Sequence, residues 1–238
     1  MRDERAAPHP RAGVVIGFAC LTTAIVTGLS YFLPARWSAT GIGFAFLGAT
    51  YVLALQGDTI SIRHFGLSLG GLVEPAAIEW RRFFRDLCVA LGWGIGIALI
   101  AFPPFWLGWR IYWHATSTFH FRGATSMGDE ALGQLVVVAL PEEAFYRGYL
   151  MTALDDAWGR RWRLFGAELG FGWIVSAALF AVGHLLTEPR VDRLAVFFPA
   201  LLFGWMRART GGIGAGIVLH ALSNVFSATL ARGYGLMR

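Results

Sequence analysis

The chain has 238 residues, 56% of them hydrophobic and only 15% charged, and its net charge of +5 is carried by arginine, since it holds no lysine. A soluble domain carries about a quarter charged residues, so this balance excludes an ordinary soluble enzyme. With no basic run interleaved with aromatics it also excludes a nucleic-acid-binding module.

A mean hydropathy of +0.55 fits a polytopic membrane protein. A bilayer core about 30 Å thick takes roughly 20 apolar residues per helix. The opening MRDERAAPHPR looks like a signal-peptide n-region. The apolar run that follows, 13–33, is too long for a signal peptide's apolar core, so an uncleaved first span is predicted there. A second span is predicted at 39–56. The loop 57–86 holds EWRRFFRDL, with Trp80, Phe83, Phe84 and Leu87 on one side and Arg81, Arg82 and Arg85 largely on another. That pattern predicts a helix near 75–87 lying in the membrane interface. Further spans are predicted at 87–107, 131–151, 169–187, 193–207 and 211–231.

The fold class is therefore an all-α polytopic transmembrane bundle of about seven spans (six to eight), forming a single membrane domain over 1–238. Loop arginines fall mainly on the side of the N-terminus, which orients that end toward the cytoplasm and places the chain in the cytoplasmic membrane. Cys20 and Cys88 lie in apolar runs and are read as buried small hydrophobes. GGIGAG at 211–216, like Gly92, Gly94 and Gly96, reads as small residues for close helix packing. His64, His114 and His120 have no nearby acid or thiol and read as solvated or interfacial.

Ionisable groups inside spans are expensive, at about 2.5–3.5 kcal/mol or more for a central charge, and usually mark function. Here they are Glu142, Glu143, Arg147, His184 and His220, with Asn224 as a polar companion. Glu143 and Arg147 stand at i and i+4, the favoured order for a helical ion pair, and so are expected to neutralise each other. Glu142 is turned about 100° away and keeps no local partner. Pro141, just before it, removes a helical hydrogen bond and is expected to kink or open the helix there. Phe180 and His184 share one helix face, as do His220 and Asn224.

A glutamate and a histidine together can deprotonate a water, while a second histidine and an asparagine amide can donate to an oxyanion. The same Glu142, His184 and His220 could instead hold zinc or relay protons through a transporter. A non-catalytic membrane maturation factor, with the charges only holding helices together, is the blandest reading.

EEAFYRG resembles the EExxxR motif of the CPBP intramembrane peptidases, which include the CAAX prenyl endopeptidases and the bacteriocin-processing Abi proteins. FAVGH is similar to that family's FxxxH motif, and HALSN matches its HxxxN motif, all in order over 142–224. The resemblance implies a glutamic-type endopeptidase with its catalytic core over 131–231. Glu142 and His184 would activate water, and His220 and Asn224 would form the oxyanion hole. Glu143, Arg147 and Phe180 fill the remaining motif positions. No cofactor is implied, with zinc the alternative. The expected partners are the lipid bilayer and a membrane-associated protein or peptide substrate. Some members carry a further span after the HxxxN helix.

Overall fold

A computed structural model describes residues 11–121 and 127–236. The MRDERAAPHP stretch read as an n-region lies outside the described residues. Two helices, α1 (Ala12–Phe32) and α2 (Ala35–Leu55), form a hairpin closed at Pro34. A short α3 (Thr59–His64) and a long α4 (Trp80–Tyr112) follow. Next comes α5, continuous over 127–158. A β-hairpin pairs β1 (Arg160–Leu164) with β2 (Ala167–Gly170). The chain then runs through α6 (Phe171–Thr187), α7 (Phe197–Thr210) and α8 (Gly214–Gly233).

The all-α bundle is therefore present, and among the described residues seven long helices overlie the seven apolar runs. Four of them, α1, α2, α4 and α8, are long and apolar enough to cross a membrane, and α6 is a shorter apolar helix. The core gathers α1, α2, α5, α6 and α8 around Phe46, Phe145, Leu150, Leu154 and Phe180. Meanwhile α4 packs on α8 through Phe102 stacked on Phe226, with ring centroids 4.4 Å apart.

Three local expectations are corrected. No separate interfacial helix spans 75–87: residues 75–79 are non-helical, and 80–87 are the first turns of α4. No proline or glycine stands between Trp80 and Leu91 to stop the helix, so its amphipathic start runs on into the apolar run. Cys20 and Cys88 are exposed on the outer faces of α1 and α4, because an apolar residue of a membrane helix faces lipid as readily as core. Of Gly92, Gly94 and Gly96 in α4, Gly94 alone is a close approach, where a Cβ would fall 2.5 Å from the Val218 side chain of α8; Gly92 and Gly96 face open space. Among the described residues, the β-hairpin departs from all-α. Its two-residue turn puts Phe165 and Gly166 at φ 47° and 79°, the left-handed pair that matches strand twist.

The loop between α2 and α4 is tied down by charge. Glu74, buried to 3% side-chain exposure, accepts from Arg63 and from Arg82 at 2.7 Å, and Ser68 donates to it as well. Those donors hold the Glu74 carboxyl well below its ordinary range. The folded chain therefore binds this proton more weakly than the unfolded chain, and the added stability is present above the ordinary glutamate range and lost on acidification. Glu74→Gln is expected to lower the unfolding midpoint in detergent at neutral pH. The gap from the parent should narrow as pH falls below about 4.5; a gap independent of pH would contradict the ion-pair account. His64, read as solvated or interfacial, is 46% exposed at its side chain and lies 2.7 Å from Asp156 at the end of α5, a partner 92 residues away that no local spacing reveals.

Candidate active site

Pro141 brings a change of helix type rather than a break. The stretches Gln134–Ala139 and Ala144–Leu150 are π-helical, flanking a short α-helical piece, Leu140–Glu143. Such widened turns recur at functional sites. They keep α5 continuous while rotating its polar residues. Gly43 lets α2 close onto this turn, since a Cβ there would fall 2.6 Å from the Val137 carbonyl oxygen, the helical acceptor that Pro141 cannot serve.

The two glutamates separate as their spacing predicts. Glu143 is fully buried and Arg147 is 1% exposed, and they pair at 3.1 Å. The same carboxylate oxygen of Glu143 lies 3.0 Å from His220 Nδ1. Because a carboxylate only accepts, Nδ1 carries the proton in this bond. Gly216 makes room for the cluster, as a Cβ there would fall 2.9 Å from the other Glu143 oxygen. Phe203 stacks on the His220 ring at 5.0 Å and 13° and fixes its plane. The Arg147 guanidinium sits 4.3 Å over Phe180 and 5.2 Å over Phe203, so its remaining faces meet aromatic quadrupoles.

Glu142 keeps 12% side-chain exposure and reaches no partner on its own helix; across the bundle its Oε2 lies 3.7 Å from His220 Nε2. That oxygen is buried and makes no hydrogen bond among the described residues. His184 enters from α6. Its Nδ1 lies 3.1 Å from the Phe180 carbonyl oxygen, which can only accept, so Nε2 holds the free lone pair of the neutral ring. Phe180 stands between the two imidazoles, at 4.4 Å from His184 and 5.9 Å from His220.

Glu142, His184, Tyr146 and Gly183 share a cavity of about 60 Å³ with Thr23 and Val26 of α1, Ile42 and Phe46 of α2 and Thr187 of α6. It has room for water. It lies toward the C-terminal ends of α1 and α6, away from the N-terminus of α1. Tyr31 donates to the Leu186 carbonyl at 3.0 Å across those same ends.

Asn224 is placed apart. Its amide donates to Gln134 Oε1 at 2.8 Å, on the α5 turn before Pro141, and neither Asn224 nor His220 lines the cavity. Sequence reasoning missed Gln134, Tyr146 and Phe203. Gln134 had a signal, an amide inside an apolar run two turns before Glu142; the two aromatics had none among many. Among the described residues no three His, Cys, Asp or Glu side chains are arranged to hold a metal.

Residues 130–226 match the family model described as "Rce1-like: Type II CAAX prenyl endopeptidase Rce1-like". No curated protein and no solved structure matches the chain. The matched segment contains all three motifs and most of the polar cluster they build, from Gln134 to Asn224. The match covers 97 of the chain's 238 residues, so it is this segment that is similar to a CAAX-type membrane protease.

Proposed function

We propose that the chain is a glutamic-type intramembrane endopeptidase that cuts a membrane-associated protein or peptide with a directly activated water. The observation that carries this reading is the cavity shared by Glu142, whose buried Oε2 makes no hydrogen bond among the described residues, and His184, whose Nε2 is free. Glu142 takes the proton of a water as its oxygen attacks the scissile carbonyl carbon, and His184 Nε2 orients that water. The carbonyl π pair moves onto oxygen. When the intermediate collapses, the C–N bond breaks and the leaving nitrogen takes the proton back from Glu142. Glu143 positions His220 and neutralises Arg147. By the resemblance His220 and Asn224 would serve the oxyanion from the α8 side, outside the cavity's lining, with His220 acting through Nε2–H because its Nδ1–H is held by Glu143. No metal is required in this scheme. A proton-coupled transporter would also use midplane acids, but the ion-paired Glu143 and the hydrogen-bonded His220 favour a fixed hydrolytic cluster over a relay.

With the N-terminus in the cytoplasm, α1 and α6 both run outward, so the cavity opens to the extracytoplasmic side. This fits exported or membrane-tethered substrates, trimmed near their C-terminal tails, better than cytosolic prenylated ones. Fusions of alkaline phosphatase and of a fluorescent protein after Arg160 and after Arg190 test the orientation. Fluorescence is expected after Arg160 and phosphatase activity after Arg190; phosphatase activity after Arg160 would reverse the membrane face. Cleavage of quenched fluorescent peptides carrying an apolar anchor, by the detergent-purified chain, tests the mechanism. The rate is expected to survive a zinc chelator, and abolition by the chelator, restored by added zinc, would replace the scheme with a metal-bound water.

A further inference from the structure

We infer that the Tyr146 hydroxyl is a further hydrogen-bond donor to the carbonyl oxygen of the scissile bond, acting from the wall of the cavity that holds Glu142 and His184. This rests on the endopeptidase reading given above. Tyr146 is an unspecified position of the EExxxR stretch, and it stands at i+4 from Glu142, hence on the same face of α5.

Three observations converge on its phenol. First, Tyr146 lines the same cavity as Glu142 and His184, whereas neither His220 nor Asn224 lines it. The attacking water and the carbonyl it attacks must meet on the Glu142–His184 side, and an oxyanion forming there needs a donor on that side. Second, the ring is held on several sides: T-shaped against Phe180 at 5.0 Å and Phe145 at 5.2 Å, and tilted against Phe46 at 5.5 Å. Its backbone is fixed too, because Ser176 donates to the Tyr146 carbonyl at 2.7 Å. A donor that cannot swing away stabilises developing charge without reorganising, which is what an oxyanion donor requires. Third, the hydroxyl faces Gly183, the residue just before His184. A Cβ at 183 would fall 3.1 Å from the phenol oxygen, so the absence of a side chain there leaves room for the hydroxyl.

In the step, the water oxygen bonds to the carbonyl carbon and the water's proton passes to Glu142. The π pair moves to the carbonyl oxygen, which accepts the Tyr146 O–H hydrogen bond. Tyr146 keeps its proton throughout and so differs in kind from Glu142.

Tyr146→Phe removes the hydroxyl and keeps the ring. The probe is a quenched fluorescent peptide spanning a cleavage site read from new peptide termini that native membranes gain with the parent chain and lack with Glu142→Gln. The variant is expected to lose about 10²-fold in kcat, with KM within about twofold, an unchanged pH profile and an unchanged melting midpoint. Gly183→Ala crowds the hydroxyl and should lower kcat in the parent while having no further effect in the Tyr146→Phe background. Parent-like kcat in Tyr146→Phe overturns the inference and leaves the endopeptidase reading standing. So does an equal loss from Gly183→Ala in both backgrounds, or a pH profile that loses a limb. If native membranes yield no Glu142-dependent termini, the endopeptidase reading falls and this inference with it.

Discussion

Glu143→Leu is expected to lower the stability of the detergent-solubilised chain by about 3–5 kcal/mol, read as a collapse of folded yield and of the melting midpoint. The carboxylate is fully buried and serves Arg147 at 3.1 Å and His220 at 3.0 Å through one oxygen. Removing it leaves the Arg147 guanidinium charged, 1% exposed and without its paired acid, against Phe180, Phe203, Tyr146 and the Ala200 carbonyl. Arg147→Met alone should do comparable damage by stranding the glutamate. The paired change, Glu143→Leu with Arg147→Met, replaces both charges with apolar volume and should recover most of the lost stability. It should not recover cleavage, because His220 Nδ1 has lost its acceptor. If the double variant is no more stable than the worse single variant, the pair is not the unit described.

Glu142→Gln is expected to fold like the parent and to lose about 10²–10⁴-fold in kcat for an anchored fluorescent peptide, with KM little changed. The amide keeps the shape of the side chain and cannot take a proton from water. Stability should hold because Glu142 makes no ion pair on its own helix and its contact across the bundle, with His220 Nε2, is at 3.7 Å. The contrast with Glu143 is the informative part. The two adjacent acids should divide, Glu142 carrying rate alone and Glu143 carrying fold together with the placing of His220. A Glu142→Gln protein that is inactive because it is unfolded would place both acids in the structural cluster.

Much of this was readable from spacing alone. The seven long helices follow from seven apolar runs, and the Glu143–Arg147 pair from an i, i+4 register. Glu142 stands apart because consecutive helical residues are turned 100° from one another. The rest depends on contacts that sequence distance conceals. His220 meets Glu143 across 77 residues and Asn224 meets Gln134 across 90, pairings set by how α8 packs against the π-helical turn of α5. Periodicity also could not separate lipid from core. Cys20, Cys88, Gly92 and Gly96 sit in runs apolar on every side, and in a membrane bundle the outward face carries the same residue types as the inward one. The start of α4 went wrong for a related reason. An amphipathic pattern states which face is polar but not where the helix ends, and only a breaker residue would have ended it at Leu87.

The comparison of membrane proteomes most directly tests whether Glu142 makes the hydrolytic water. Cells carrying the parent chain and cells carrying Glu142→Gln, at equal folded abundance in the membrane, are compared for new peptide N- and C-termini among membrane-associated proteins. The parent should yield a set of extracytoplasmic termini that the variant lacks. The same termini at the same abundance in both would contradict the account.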